Sequence, residues 1–155
     1  MTDVPAPAAL ELEHFLPYRL SVLSNRISDA IAREYSQRFA LGVTEWRVMA
    51  VLGRYPGLSA SQVAQRTAMD KVAVSRAVAR LLEAGRLSRA SDSEDRRRSV
   101  LELSEAGYAI FDAVVPLALA YERALLGALE PDERETLQRL LDKLGAGAAS
   151  AEGVL

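Results

Sequence analysis

Cysteine is absent from the 155 residues, and the single histidine is His14. Without thiols the chain forms no disulfide and no thiolate-bound zinc site, and a cysteine nucleophile is excluded. One histidine, with no glycine-rich phosphate loop, leaves little from which to assemble a nucleophile, a base and an orienting group. The sequence therefore predicts a protein that is not an enzyme and uses no metal or cofactor.

Long apolar runs are also missing. Half of the residues are hydrophobic, but no run reaches the roughly 18 residues that a membrane-spanning helix needs. Residues 1–15 lack the basic start and apolar core of a signal peptide. We expect a soluble cytoplasmic protein of one compact domain, or a small domain whose remaining apolar helix faces pack against a second copy.

Basic charge is scarce overall, with 19 Lys and Arg against 21 Asp and Glu, for a net charge of −2. It is concentrated in one segment. Residues 59–100 carry nine basic and five acidic side chains, so this segment is +4 and the rest of the chain is −6. The asymmetry is typical of a basic nucleic-acid-binding module on an acidic scaffold, and the alternative is a solvated charged face.

Apolar residues at spacings of three or four predict a long amphipathic helix over residues 11–39. Pro17 disfavours a helix interior, so this helix begins near Leu16 or is kinked there. A short second helix is predicted to be capped by Thr44 and ended by Pro56.

Two more helices carry local end signals. Ser59 and Gln62 have the spacing of a capping box, which predicts a helix over residues 59–67. Asp70 opens a fourth helix, and Gly85 suits the left-handed position just past its end.

After this point the period changes. Residues 87–90 and 100–103 read as short strands on either side of a polar, charged tip. Ser104 caps a long fifth helix, and Pro131 opens the last one. The order predicts a mainly α, α+β winged helix-turn-helix fold of about six helices and a two-stranded wing.

The winged helix-turn-helix lobe is assigned to residues 41–103, and the small residues of 148–155 predict a flexible tail. The last of the three short helices is the one that would enter a DNA major groove. With its apolar residues facing inward, Arg76 is the best candidate to read a base, and an ordinary solvated helix face is the alternative. The candidate DNA contacts on these helices are Ser59, Lys71, Ser75, Arg76 and Arg80.

The wing tip holds Arg96, Arg97 and Arg98 in succession. These cations repel one another unless a polyanion compensates, and the negative potential of a minor groove does so. Asp95 is predicted to orient Arg97 or a neighbouring arginine through a charge-assisted pair, without touching DNA. The alternative is a disordered, solvated loop.

The same segment resembles the MarR family of bacterial regulators, whose wing reads Asp-x-Arg, five residues, then Leu-Thr-x-x-Gly. Here Asp95 and Arg97 are followed at that spacing by Leu103, Ser104 and Gly107. Serine replaces threonine at 104 and keeps the capping hydroxyl.

The resemblance covers nearly the whole chain. It implies a DNA-binding homodimer in which residues 1–40 and 104–147 form a helical dimerisation region. A two-fold dimer would bind a pseudo-palindromic operator with half-sites about one helical turn apart.

Proteins of this kind commonly bind small anionic aromatics between the dimerisation helices and the DNA-binding lobe, and binding there can oppose DNA binding. Residues 15–20 and 45–49 resemble a subgroup linked to catabolism of hydroxycinnamates and related aromatic acids or their CoA thioesters. Arginines would neutralise the anion and flat apolar side chains would line the pocket. Core packing, structural salt bridges and a solvated histidine are the alternatives. The candidate ligand contacts are His14, Tyr18, Arg19, Trp46, Arg47 and Met49.

Together these features predict a ligand-responsive transcriptional regulator, a repressor released from its operator by an aromatic acid or its CoA thioester. The alternative is a winged-helix protein-interaction module without specific DNA binding. The two differ in salt response, because phosphate contacts weaken steeply with ionic strength and an apolar interface does not.

Overall fold

A computed structural model of the chain describes residues 9–91 and 99–154. Within these ranges it contains six α-helices, two single-turn 3-10 helices at Leu12–His14 and Glu152–Val154, and one two-stranded antiparallel sheet. The number of helices and the paired strands confirm the predicted mainly helical fold with a two-stranded wing. The elements in chain order are α1 (Leu16–Phe39), α2 (Val43–Arg54), α3 (Ala60–Thr67), α4 (Lys71–Glu83), β1 (Leu87–Ser91), β2 (Ser99–Leu103), α5 (Glu105–Leu126) and α6 (Pro131–Ala151).

The start of α1 answers the question that Pro17 raised. The helix begins at Leu16, so the proline lies in its first turn, where its missing N–H costs nothing. At the other end Ala40 takes the left-handed conformation, with φ 51°. The guanidinium of Arg86 donates to the carbonyl oxygen of Phe39 and so ties the residue before β1 to the end of α1.

The predicted cap of α2 is wrong. Thr44 lies inside the first turn, because the helix already begins at Val43 and the extended Gly42 is its N-cap residue. Gly42 has no side chain, so no side-chain cap bond closes this end of α2. Glycine and threonine are both acceptable N-cap residues, so the sequence does not distinguish Gly42 from Thr44 at this position.

The predicted ends of α3 and α4 are confirmed. Ser59 Oγ accepts a hydrogen bond from the Gln62 amide at 3.2 Å, and Gln62 Oε1 accepts one from the Ser59 amide at 2.9 Å. Asp70 Oδ1 accepts from the Ala73 amide at 2.9 Å. Gly85 has φ 71°, a value that a residue with a Cβ adopts only at a cost.

The wing is an antiparallel pair in which Leu87 lies opposite Leu103 and Ser91 opposite Ser99. Leu58, in the segment before α3, adds an isolated antiparallel bridge to Leu101. This bridge joins the middle of β2 to the segment before α3.

Ser104 joins the wing to α5. Its hydroxyl donates to the Gly85 carbonyl oxygen at 2.6 Å and accepts from the Gly107 amide at 3.1 Å, which confirms the predicted cap. Gly107 is required here, because a Cβ at this position would overlap the carbonyl oxygen of Arg86.

The chain divides into two compact units, Met1–Val115 and Pro116–Leu155. The first unit contains the hydrophobic core, to which Trp46, Ile110 and Phe111 add partly buried rings and aliphatic groups. Most of the core comes from α2, α3, α4 and the two strands. Its buried members are Tyr35, Leu41, Val48, Met49, Leu52, Val63, Ala64, Val74, Ala77, Val78, Leu81, Leu87, Leu101, Leu103 and Val114.

The second unit contains the end of α5 and all of α6. Pro131 lies in the first turn of α6, as predicted. Of the residues predicted as a flexible tail, 148–155, those up to Ala151 are helical, because α6 continues to Ala151. Alanine has the highest helix propensity, and the alanines near this end outweigh the two glycines before them.

The described helices include none that combines the length and the hydropathy needed to cross a bilayer.

Candidate nucleic-acid interface

The two faces of α4 differ in chemistry. Val74, Ala77, Val78 and Leu81 are buried and fix the rotation of the helix about its axis. The opposite face is exposed and polar. All four candidates that the sequence placed on α4 lie on it, namely Lys71, Ser75, Arg76 and Arg80.

Arg80 is held by a residue that sequence reasoning missed. Its Nη1 lies 3.5 Å from Glu45 Oε1, and the side chain of Glu45 is only 12% exposed while that of Arg80 is 71% exposed. The sequence marked Glu45 only as part of a resemblance, because an acid in the first turn of a helix is ordinary. No local spacing connects α2 with α4, so this ion pair required the fold.

A shallow depression lies between the start of α2 and the outward face of α4. It is bordered on one side by Gly42, Val43 and Glu45, and on the other by Arg76 and Arg80. Two arginines therefore border the depression beside the N-terminal end of α2, which carries a partial positive charge. Glu45 opposes part of this positive potential.

Ser59 has a structural role in its own helix. Its hydroxyl accepts the Gln62 amide in the capping box, and the residue is partly buried. The hydroxyl oxygen retains a free lone pair and its proton, so the cap is compatible with a DNA contact.

The wing presents Arg89 on β1, where it pairs with Leu101 of β2 and is exposed. Sequence reasoning counted Arg89 only toward the charge of the segment. The predicted tip residues Asp95, Arg96, Arg97 and Arg98 lie outside the described residues.

The candidate ligand contacts separate into two groups. Tyr18 and Arg19 are exposed near the start of α1, where they border a shallow apolar depression. Trp46 packs instead against Tyr35, with ring centroids 5.7 Å apart. At about 1.5 Å per residue, Tyr18 and Tyr35 are about 25 Å apart along the helix. The two groups therefore do not form one pocket within a single chain.

Within the second group the side chains differ in accessibility. Met49 is fully buried and belongs to the core, in line with the packing alternative. Trp46 lies between Tyr35 and Phe111, and the ring centroids of Trp46 and Phe111 are 6.1 Å apart. Arg47 donates from Nη2 to Ser28 Oγ at 2.8 Å, which is a hydrogen bond and not the salt bridge considered as its alternative.

Tyr35 is the titratable group that this cluster perturbs. Burial raises the pKa of its phenol above the usual 10.0, the nearby Arg47 partly offsets this, and Asp29 adds to the rise. The phenol is therefore neutral at physiological pH.

His14 lies apart from both groups. Its Nδ1 is 3.3 Å from Glu11 Oε2, and both side chains are largely exposed. The pair is local and exposed to solvent, in line with the solvated histidine that was the alternative to a ligand contact.

Comparison with known proteins gives consistent matches. A sequence model described as the MarR family matches residues 41–98. The HTH-type transcriptional regulator BilQ of Clostridium symbiosum is 30% identical over 94 residues, which cover 61% of this chain and 65% of that regulator. The HTH-type transcriptional repressor NicR of Pseudomonas putida is 31% identical over 86 residues, which cover 56% of this chain and 54% of that repressor. The chain thus spans less than two thirds of the length of both curated relatives.

The fold has close counterparts over nearly its full length. The crystal structure of a MarR/EmrR family transcriptional regulator from Acinetobacter sp. ADP1 is 28% identical, with a TM-score of 0.83. The similarity covers 91% of this chain and 99% of that one. The winged helix-turn-helix lobe and the flanking helices therefore occur together in both.

Proposed function

The chain belongs to the MarR family of transcriptional regulators, and on this premise we propose that it binds duplex DNA as a homodimer and is released by a small effector. The observation that carries the proposal is the outward face of α4. Lys71, Arg76 and Arg80 are exposed there, on a helix whose rotation is fixed by its buried residues. An exposed cationic helix of this kind fits the major groove.

Arg76 is proposed to read a base edge, since a guanidinium pairs in a bidentate manner with guanine O6 and N7. Lys71, Ser75, Arg80 and Ser59 would contact phosphates and fix the register. In the wing, Arg96, Arg97 and Arg98 are proposed to enter the minor groove, with Asp95 orienting Arg97.

The homodimer is supported by apolar surface that each chain leaves uncovered. On α1, Leu16, Leu20 and Leu23 are 45%, 42% and 52% exposed. On α6 four leucines at helical spacing are similarly exposed, namely Leu137, Leu140, Leu141 and Leu144. Burial against a second copy would remove this surface from water. Residues 1–40 and 104–147 are thus the proposed dimerisation region.

Two-fold symmetry would place the two α4 helices in successive major grooves. The operator is therefore proposed to be an inverted repeat with half-sites about 10 base pairs apart. The relative named a repressor favours repression as the outcome of binding. A regulator of this kind acts in the cytoplasm, where its operator lies.

The effector is proposed to be a small anionic aromatic compound or its CoA thioester. Two sets of residues have suitable chemistry: exposed Tyr18 and Arg19 on α1, and the Trp46 ring with Arg47. An effector that binds the DNA-free form more tightly lowers operator affinity by the same factor.

The test is a fluorescence anisotropy titration of the purified protein onto its own upstream intergenic DNA, at several salt concentrations. Each titration is repeated with a panel of aromatic acids and their CoA thioesters. We expect tight binding that weakens steeply with salt and is relieved by one class of compound. Binding no tighter than that to random DNA would contradict autoregulation by this protein.

The alternative is a winged-helix interaction module that does not bind DNA specifically. It predicts a partner complex that is insensitive to salt and unaffected by loss of Arg76. The +4 charge of residues 59–100 favours DNA.

A further inference from the structure

Val72 is an apolar side chain on the polar face of α4. It is 57% exposed, whereas Val74, Val78 and Leu81 of the same helix are buried. It borders a shallow, mostly apolar depression on the helix surface. The other residues around this depression are Lys71, Ser75, Arg76 and Ala79.

No packing within the described chain accounts for a valine at this position. A β-branched residue has a lower helix propensity than alanine because its χ1 freedom is restricted. Its methyl groups are exposed to water, so this part of the side chain contributes no burial free energy to folding. A polar or straight-chain residue would serve the isolated helix better, so the apolar group is suited to a partner.

The surroundings of Val72 indicate the chemistry of that partner. Lys71 is its chain neighbour and Arg76 lies one turn further on, so cations flank the apolar depression. A polyanion that presents a small apolar group at its surface matches this arrangement. In the major groove, thymine is the base that presents one, as its 5-methyl group.

We propose that Val72 recognises the 5-methyl group of a thymine in each operator half-site. The inference rests on the proposed function, since it requires α4 to lie in the major groove. It assigns specificity to contact between apolar groups beside the guanidinium of Arg76. Two adjacent base positions would then be read by different chemistry.

The experiment starts from a duplex selected from random sequences by the full-length protein. Each thymine of a half-site is replaced in turn by deoxyuridine, which removes the methyl group and leaves base pairing unchanged. We expect one position at which wild-type affinity falls about fourfold, the effect of losing one buried methyl. Other thymines should respond little.

The Val72→Ala variant completes the cycle. It should bind the thymine duplex several-fold more weakly and show no further loss on the deoxyuridine duplex. Val72→Thr keeps one methyl group at the same branch and should retain the sensitivity. Glu83→Ala, at an exposed position near the end of α4, should retain it as well. Because the Val72 side chain is exposed, the unfolding midpoint of the Val72→Ala variant should match that of the wild type.

The outcomes separate the inference from the function on which it rests. A preferred duplex with no methyl-sensitive thymine would overturn the role of Val72 and leave DNA binding intact. Equal sensitivity in wild type and Val72→Ala would do the same. If selection returned no preferred sequence, the proposed function would fail, and this inference with it.

Discussion

The winged helix-turn-helix lobe and the C-terminal unit have similar hydrophobic periodicity but opposite burial. Between residues 41 and 103 the apolar positions of α2, α3 and α4 are largely buried within the chain. Among the described residues 116–154, no side chain is buried, and the leucines of α6 are 36–46% exposed. The same pattern of spacings thus accompanies a completed core in one region and an open apolar face in the other.

The difference shows what amphipathic periodicity measures. It reports that a helix has a face to bury, not which surface will cover it. In the lobe the covering elements follow within a few tens of residues. For α6 a second copy of the chain is the proposed cover, so we expect its stability to depend on protein concentration.

The largest expected effect comes from the lobe's core. Leu52 is fully buried, so Leu52→Ala should lower the free energy of unfolding by about 2–5 kcal/mol. The loss should be the same at every protein concentration, because the cavity lies within one chain. Denaturant unfolding at two concentrations measures it.

The matched control is Leu141→Ala, which deletes the same atoms from a side chain that is 45% exposed. Here the change should raise the dimer dissociation constant, measured by sedimentation equilibrium, and leave the lobe intact. A concentration-independent loss as large as that of Leu52→Ala would erase the distinction between the two regions.

The next effect concerns the exposed face of α4. Arg76→Ala should weaken binding to the preferred duplex by about tenfold to a hundredfold and relax specificity at one position. Arg38→Ala makes the same charge change on an exposed site of α1 and should have little effect. Anisotropy titrations of both variants provide the comparison, and equal losses would indicate a purely electrostatic role.

A smaller effect follows from the ion pair between α2 and α4. Glu45→Gln removes the carboxylate that lies 3.5 Å from Arg80 and partly offsets the charge of this guanidinium, which is proposed to contact a phosphate. Binding to random duplex DNA should tighten, and the slope of log affinity against log salt should steepen by about one unit. An unchanged slope would mean that Arg80 keeps away from the phosphates even when unpaired.

The smallest effect is a pH dependence at the edge of the core. The pKa of Tyr35 is raised in the folded state, so the unfolded chain loses this proton first as pH rises. The stabilisation that the raised pKa gives to the folded state is fully present below the unfolded pKa of about 10 and is lost as the pH rises further. The stability of the wild type relative to Tyr35→Phe should therefore be constant to about pH 9 and fall above about pH 10. A difference that stays constant to higher pH would contradict the raised pKa.

Local signals predicted much of the fold. The caps at Ser59, Asp70 and Ser104 and the left-handed Gly85 depend on residues three or fewer positions away, and each is confirmed. The start of α2 was misplaced because Thr44 and a glycine two positions before it are both acceptable caps.

The exposure of the α4 candidates could also be predicted, since it follows from helical periodicity. The Glu45–Arg80 pair could not, because it joins elements 35 residues apart whose crossing is set by the core. The separation of Tyr18 from Trp46 has the same origin. Composition correctly indicated aromatic and basic groups, but only the uninterrupted length of α1 keeps them apart.

In the proposed complex, the two α4 helices of a dimer lie in successive major grooves. Methylation interference tests it most directly, because methylation of guanine N7 obstructs the major groove alone. We expect two clusters of interfering guanines about one helical turn apart, with one guanine in each losing its effect for Arg76→Ala. A bound duplex whose major-groove methylation leaves affinity unchanged would contradict it.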